Sequence, residues 1–92
     1  MHETGVVRAL VRRLEDAARE AGAQRVSGVT VWLGALSQLS PQHLREHFAE
    51  EVRGTRAENA DLQIESSEEV GHPHAQDVVV RSVALEVSDA ED

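Results

Sequence analysis

Along residues 6–21 the apolar side chains Val6, Val7, Leu10, Val11, Leu14, Ala17, Ala18 and Ala21 recur every three or four positions, which puts them on one face of a helix. Thr4 is placed to cap its start, Gly22 to end it in a left-handed conformation. Arg12 with Asp16 and Glu15 with Arg19 have the spacing of i,i+4 ion pairs. The period then changes to two. Val29, Val31 and Leu33 alternate with Thr30 and Trp32 in a β-rich run over 25–33, closed by Gly34, which predicts a strand. Ser40-Pro41 supplies a cap and a proline for the first helical position, and Leu44, Phe48 and Val52 recur at i, i+4 and i+8 before Gly54, so a second helix is predicted over 41–53. Ala60, Leu62 and Ile64 alternate with Asp61, Gln63 and Glu65 as a short half-buried strand. A polar connector follows over 66–76, and the run 78–87 alternates again, with Val79, Val83, Leu85 and Val87 on one parity and Arg81 as the exception. The acidic residues 88–92 form a tail expected to fray.

This order, αβαββ, predicts an α+β two-layer sandwich with both helices on one face of a three-stranded sheet. The last two strands are expected to pair as an antiparallel hairpin. Leu10, Leu14, Val31, Leu33, Leu44, Phe48, Ile64, Val83 and Leu85 are the predicted core. A chain of 92 residues with 40% hydrophobic content supports one core, so residues 1–92 are expected to be a single domain. Trp32 and Phe48 are the only aromatic residues, which leaves little scope for a deep ligand cavity.

Charge narrows the partners. With 17 acidic residues against 9 basic ones the surface field repels phosphate backbones, so nucleic acid is a poor partner. There is no cysteine, which excludes disulfides, thiolate zinc sites, iron–sulfur clusters and cysteine nucleophiles; any metal must be held by histidine, carboxylate or main-chain atoms. The chain opens on acidic Glu3 and an amphipathic segment punctuated by arginine, without a long apolar run, so a cytoplasmic protein that does not enter the membrane is expected.

Three groups of residues have ligating chemistry. At Met1-His2-Glu3 a free amine, a deprotonated main-chain nitrogen and the His2 imidazole can close adjacent five- and six-membered chelate rings, a nitrogen set suited to square-planar Ni(II) or Cu(II). Met1 is expected to be retained, since His2 is bulky. In His43-x-x-x-His47 two imidazoles share one helical face, although the commoner role for such a pair is a solvated surface opposite Leu44, Phe48 and Val52. His72 and His74 flank Pro73 in the connector, where a mobile loop can carry secondary ligands but histidine is more often simply solvated. These four are auxiliary ligands at most. No phosphate-binding glycine loop and no nucleophile–base pair accompanies them, so an enzyme is not expected.

Taken in order, the motifs resemble a known family. Met1-His2-Glu3 directly before an amphipathic helix, Gly22-Ala23-Gln24-Arg25-Val26, Val31-Trp32-Leu33-Gly34-Ala35-Leu36-Ser37, Ser40-Pro41 with Leu44-Arg45 and Phe48, Gly54-Thr55 before Ala57-Glu58-Asn59-Ala60, and Leu62-Gln63-Ile64 are similar to the HypA/HybF nickel-insertion chaperones. Beyond Glu65 that family inserts a zinc ribbon of two Cys-rich hairpins before a last strand resembling residues 77–87; here 66–76 replaces it.

The resemblance implies a non-enzymatic protein that delivers Ni(II) to [NiFe]-hydrogenase precursors, in some organisms to urease. It implies nickel ligands at Met1, His2 and Glu3, no structural zinc, and as partners a HypB-type GTPase and the hydrogenase large subunit; it admits a homo-oligomer. Ala35, where the family commonly has Glu, and Glu46 and Glu50, at positions commonly apolar, imply a surface exposed here that other members cover. The rival reading is a metal-free adaptor or assembly module that docks on a hydrogenase or maturation protein.

Overall fold

The computed structural model describes residues 3–87, with side chains from Gly5 to Val87. Helix α1 spans Glu3–Glu20, strand β1 Arg25–Leu33, helix α2 Pro41–Glu51, strand β2 Asp61–Ser66 and strand β3 Val78–Glu86. The αβαββ order and the two-layer α+β class are as the sequence predicts.

Local chemistry sets the helix ends. At the end of α1 the Ala23 N–H donates to the Ala18 carbonyl at 2.8 Å and the Gly22 N–H to that of Arg19 at 3.1 Å. With Gly22 at φ 69°, this is the left-handed stop that glycine allows without strain. The first helix already includes Thr4, so Thr4 lies inside it and is not its cap. The second is capped as expected, Ser40 Oγ accepting the His43 N–H at 3.1 Å with Pro41 in the first turn. It ends at Glu51, two residues before the predicted end, because Val52 and Arg53 already belong to the turn that leads to Gly54.

The sheet departs from the predicted hairpin. Its order is β2-β1-β3, with β2 parallel to β1 and β3 antiparallel to it. The physical reason lies in β1, whose inward residues Val26, Val29, Val31 and Leu33 are nearly sealed from solvent. A strand this apolar is best placed in the centre, where both edges find partners. The β1–α2–β2 unit is a crossover, which returns the chain parallel to its start.

A second correction concerns β3. Val29 pairs with Val83 and Val31 with Val80, so Arg81 is an extra residue in the ladder. This bulge reverses the parity. Val78 and Val80 face inward before it and Val83 and Leu85 after it, whereas Val79, expected on the inward side, pairs with Trp32 on the open face. Arg81 breaks the alternation because it is the bulge.

The core is one cluster joining Leu10, Leu14, Val31, Leu33, Leu44 and Phe48, with Ile64, Val83 and Leu85 half-buried at its margin. Both helices pack on the same sheet face and run parallel: Arg8 meets Glu51 at 3.5 Å, and Glu15 meets Arg56 at 3.4 Å. The second contact replaces the expected pairing of Glu15 with Arg19. Asp16 likewise pairs with Arg19, at 2.9 Å, and not with Arg12. Glu15 is drawn away because the Arg56 N–H, in the loop after α2, donates to its carboxylate at 3.0 Å.

Candidate metal-binding pole

Strand directions decide where the candidate ligands gather. The C-terminal ends of β1 and β2, the start of α2 and the start of β3 lie at one end of the sandwich, since Leu33 pairs with both Ser66 and Val78. The N-terminal end of α1 reaches the same pole: Gly5 and Val6 line a groove with His74, Asp77 and Val78. His72 and His74, in the 67–77 connector, lie at this end, and their rings stand 5.8 Å apart; His43 is in the first turn of α2 and His47 one turn further along that helix, and neither lines the groove. Met1 and His2 lie outside the described residues, and of Glu3 only the backbone is described, as the first residue of α1.

The connector is fixed more firmly than its polar composition implies. The Ser67 N–H donates to the Leu33 carbonyl at 2.9 Å, the Gly34 N–H to that of Asp77 at 2.9 Å and the Leu36 N–H to that of Ala75 at 2.7 Å. Ala75 is buried against the fold. Internal turns complete the strap, the Ala75 N–H donating to the His72 carbonyl at 3.0 Å and the Asp77 N–H to that of His74 at 2.9 Å.

Within this strap the two histidines have different surroundings. The His72 ring lies 5.0 Å from Trp32, centroid to centroid, and its Nδ1 accepts the His74 main-chain N–H at 2.9 Å. The His74 ring stands 5.8 Å from that of His72, and its Nδ1 is 2.8 Å from Asp77 Oδ2. Asp77 was not singled out by sequence reasoning, although its place three residues after His74 in a turn-rich stretch was the available signal. Among the described residues no group of three or more His, Asp or Glu side chains forms a ready-made cation cage. No helix among them is long and apolar enough to cross a membrane.

The architecture is that of a small two-layer module with parallel helices on one side of a mixed sheet. The family model described as "Hydrogenase/urease nickel incorporation, metallochaperone, hypA" matches residues 1–75, and this chain belongs to that family. Its members are metallochaperones and not enzymes. The hydrogenase maturation factor HypA of Chlorobaculum tepidum is 35% identical over 75 residues, covering 82% of this chain and 66% of that protein. Those of Aquifex aeolicus and Pyrococcus furiosus are 42% identical over 65 residues and 39% over 70, covering 56% and 50% of their lengths. The match therefore spans two thirds or less of these relatives. The solution structure of the Ni metallochaperone HypA from Helicobacter pylori superposes with a TM-score of 0.81 over 96% of this chain and 100% of that one, at 16% identity, a likeness of fold.

Proposed function

We propose that this chain is a nickel metallochaperone of hydrogenase maturation, taking Ni(II) as cargo at Met1, His2 and Glu3 and releasing it to a client. The donors would be the terminal amine, the His2 main-chain nitrogen and the His2 imidazole, a set that matches the square-planar preference of Ni(II). The described part of α1 begins at Glu3. A client offering softer thiolates would draw the metal off by ligand exchange. The hydrogenase large subunit is the proposed client and a HypB-type GTPase the proposed partner. We read the chain as one domain in which 66–76 stands where relatives carry a zinc ribbon. With no cysteine in the chain, a thiolate zinc site cannot form.

What carries this reading is the match of residues 1–75 to the nickel-incorporation metallochaperone family, supported by the groove in which His74 and Asp77 of the connector meet the first described turns of α1. Nickel calorimetry on tag-free protein tests it against protein whose terminal amine is acetylated. Tight binding lost on acetylation is the expected result. Equal affinity in both would overturn the terminal site and favour the adaptor, which needs no free amine.

A further inference from the structure

The two edges of the sheet are finished differently. At the β2 edge the Arg45 guanidinium reaches over from α2 and donates to the Leu62 carbonyl at 2.9 Å, and Asp61 and Glu65 put charge along that short strand. At the other edge, β3, the Glu86 carbonyl accepts the Gln24 N–H at 2.8 Å and the Ala84 carbonyl accepts the Ser27 hydroxyl at 3.3 Å, so both carbonyls face β1. Successive residues of a strand point their main-chain groups to opposite sides. The N–H and C=O groups of Val83, Leu85 and Val87 therefore face outward, and among the described residues no hydrogen bond reaches them. We propose that this edge takes a second copy of the chain, β3 pairing antiparallel with the partner's β3 about a two-fold axis at Leu85 to make one continuous sheet.

The edge is complementary to itself. With the axis at Leu85, that residue lies opposite the partner's Leu85 and Val83 lies opposite the partner's Val87, so every outward N–H of the three residues meets a carbonyl. The side chains agree with the main chain. Val83 and Leu85 are half-buried on the helix side of the sheet, and Val87 continues their parity but is 54% exposed until the partner's Val83 covers it. The bulge at Arg81 confines regular pairing to the residues after it. An axis at Ala84 would set Val87 against the partner's bulge and leave its amide groups unpaired, which selects Leu85. No like charges fall directly opposite each other: Glu86 faces the partner's Ala84 and is held by its own Arg25 at 3.3 Å.

Area and charge set the strength of the pairing. So short a ladder buries far less than the roughly 800 Å² per partner of a stable dimer. Each copy also carries a formal charge of -8, so the two repel. The dimer is therefore weak, with a Kd on the order of 0.1 mM, and it tightens as salt screens the like charges. A basic peptide lying along the same edge would show the opposite salt dependence. The connector and its histidines lie beyond the bulge, so the pairing leaves that pole uncovered, and the antiparallel order sends the two poles to opposite ends of the dimer.

Sedimentation equilibrium of the tag-free full chain tests the proposal, together with amide solvent-exchange rates measured by NMR over a concentration series. Circular dichroism melts confirm the fold of each variant. The average mass of the wild type is expected to rise from monomer toward dimer between about 10 µM and 1 mM, and the Kd to fall several-fold from low to moderate salt. Val87→Lys changes an exposed side chain at the strand end and should weaken the dimer about tenfold or more, whereas Gln63→Lys makes the same charge change on β2 and should stay within about twofold. As concentration rises, exchange should slow at Val83, Leu85 and Val87 and stay constant at Ser82, Ala84 and Glu86, whose N–H groups already face β1. A monomer throughout the range would overturn the proposal and leave the edge to a strand of another protein. A dimer that survives Val87→Lys, or one whose protection does not alternate along 82–87, would place the interface elsewhere and overturn it as well.

Discussion

Gly34 lies so close to Ala75 that a β-carbon on Gly34 would overlap the Ala75 carbonyl and stand 2.6 Å from the His74 carbonyl oxygen. The contact joins the end of β1 to the histidine-bearing connector by backbone atoms alone, and no larger side chain fits between them. Gly34→Ala should therefore push the connector off the sheet. The expected cost is about 1–3 kcal/mol by urea denaturation, typical of overpacking against atoms that cannot rotate away. Trp32 is the only tryptophan and touches His72, so a change in its emission should accompany the displacement. Unchanged stability and emission would show that the connector is not held at this point.

Phe48 is 3% exposed and is the only aromatic residue in the core cluster. Truncating it to alanine should destabilise the domain by about 3–5 kcal/mol, through lost burial and the cavity left behind. For a protein of ordinary stability, about 5–15 kcal/mol, that is severe. A loss below about 1 kcal/mol would be incompatible with its buried position.

Glu15 ties α1 to the loop after α2 by accepting the Arg56 main-chain N–H. Glu15→Ala removes the acceptor and should cost about 1 kcal/mol, less than a fully buried charged hydrogen bond because water reaches both partners. Glu15→Gln keeps an acceptor oxygen and should cost measurably less. Equal losses in thermal melts of the two variants would assign the effect to the ion pair with the Arg56 side chain.

Nickel binding is expected to follow the protonation of its donors. Protons compete for the terminal amine, whose ordinary range is about 7.7–8.0, and for an imidazole near about 6.5, so uptake should weaken steadily as pH falls through these ranges and should release protons. Calorimetry in buffers of different ionisation enthalpy counts those protons. Uptake without proton release would point to carboxylate donors instead.

Chelation should leave the fold untouched, because the core closes on apolar side chains and the chain has no thiolate to build a structural zinc site. A drop in melting temperature with EDTA would mean that imidazoles hold a structural metal.

The helices and their buried faces were legible in the sequence because both are local. The spacing of Leu10 and Leu14, or of Leu44 and Phe48, is itself the address of the core, and Ser40-Pro41 and Gly22 punctuate it. Strand pairing was not legible, since Leu62 and Ile64 carry the same alternation whether their neighbour is β1 or β3. The bulge at Arg81 was visible only as a broken parity, and its effect on Val79 required the partner strand. At the candidate site the histidines could be named but not ranked. The difference between His72 and His74 rests on Asp77 and on a main-chain N–H, partners that a list of residue types does not supply.

Because β2 and β3 stand on opposite flanks of β1, the chain between them is an overpass and not a turn. A hairpin turn fixes its own length, whereas an overpass needs only to span the sheet end. Closing such a loop costs entropy that grows as the logarithm of its length, so doubling it adds only about 0.6 kcal/mol. The αβαββ frame can therefore accept inserts of very different size at 67–77 without re-registering a strand, which makes this crossing the place where the module can gain or shed an appendage while its sheet stays the same.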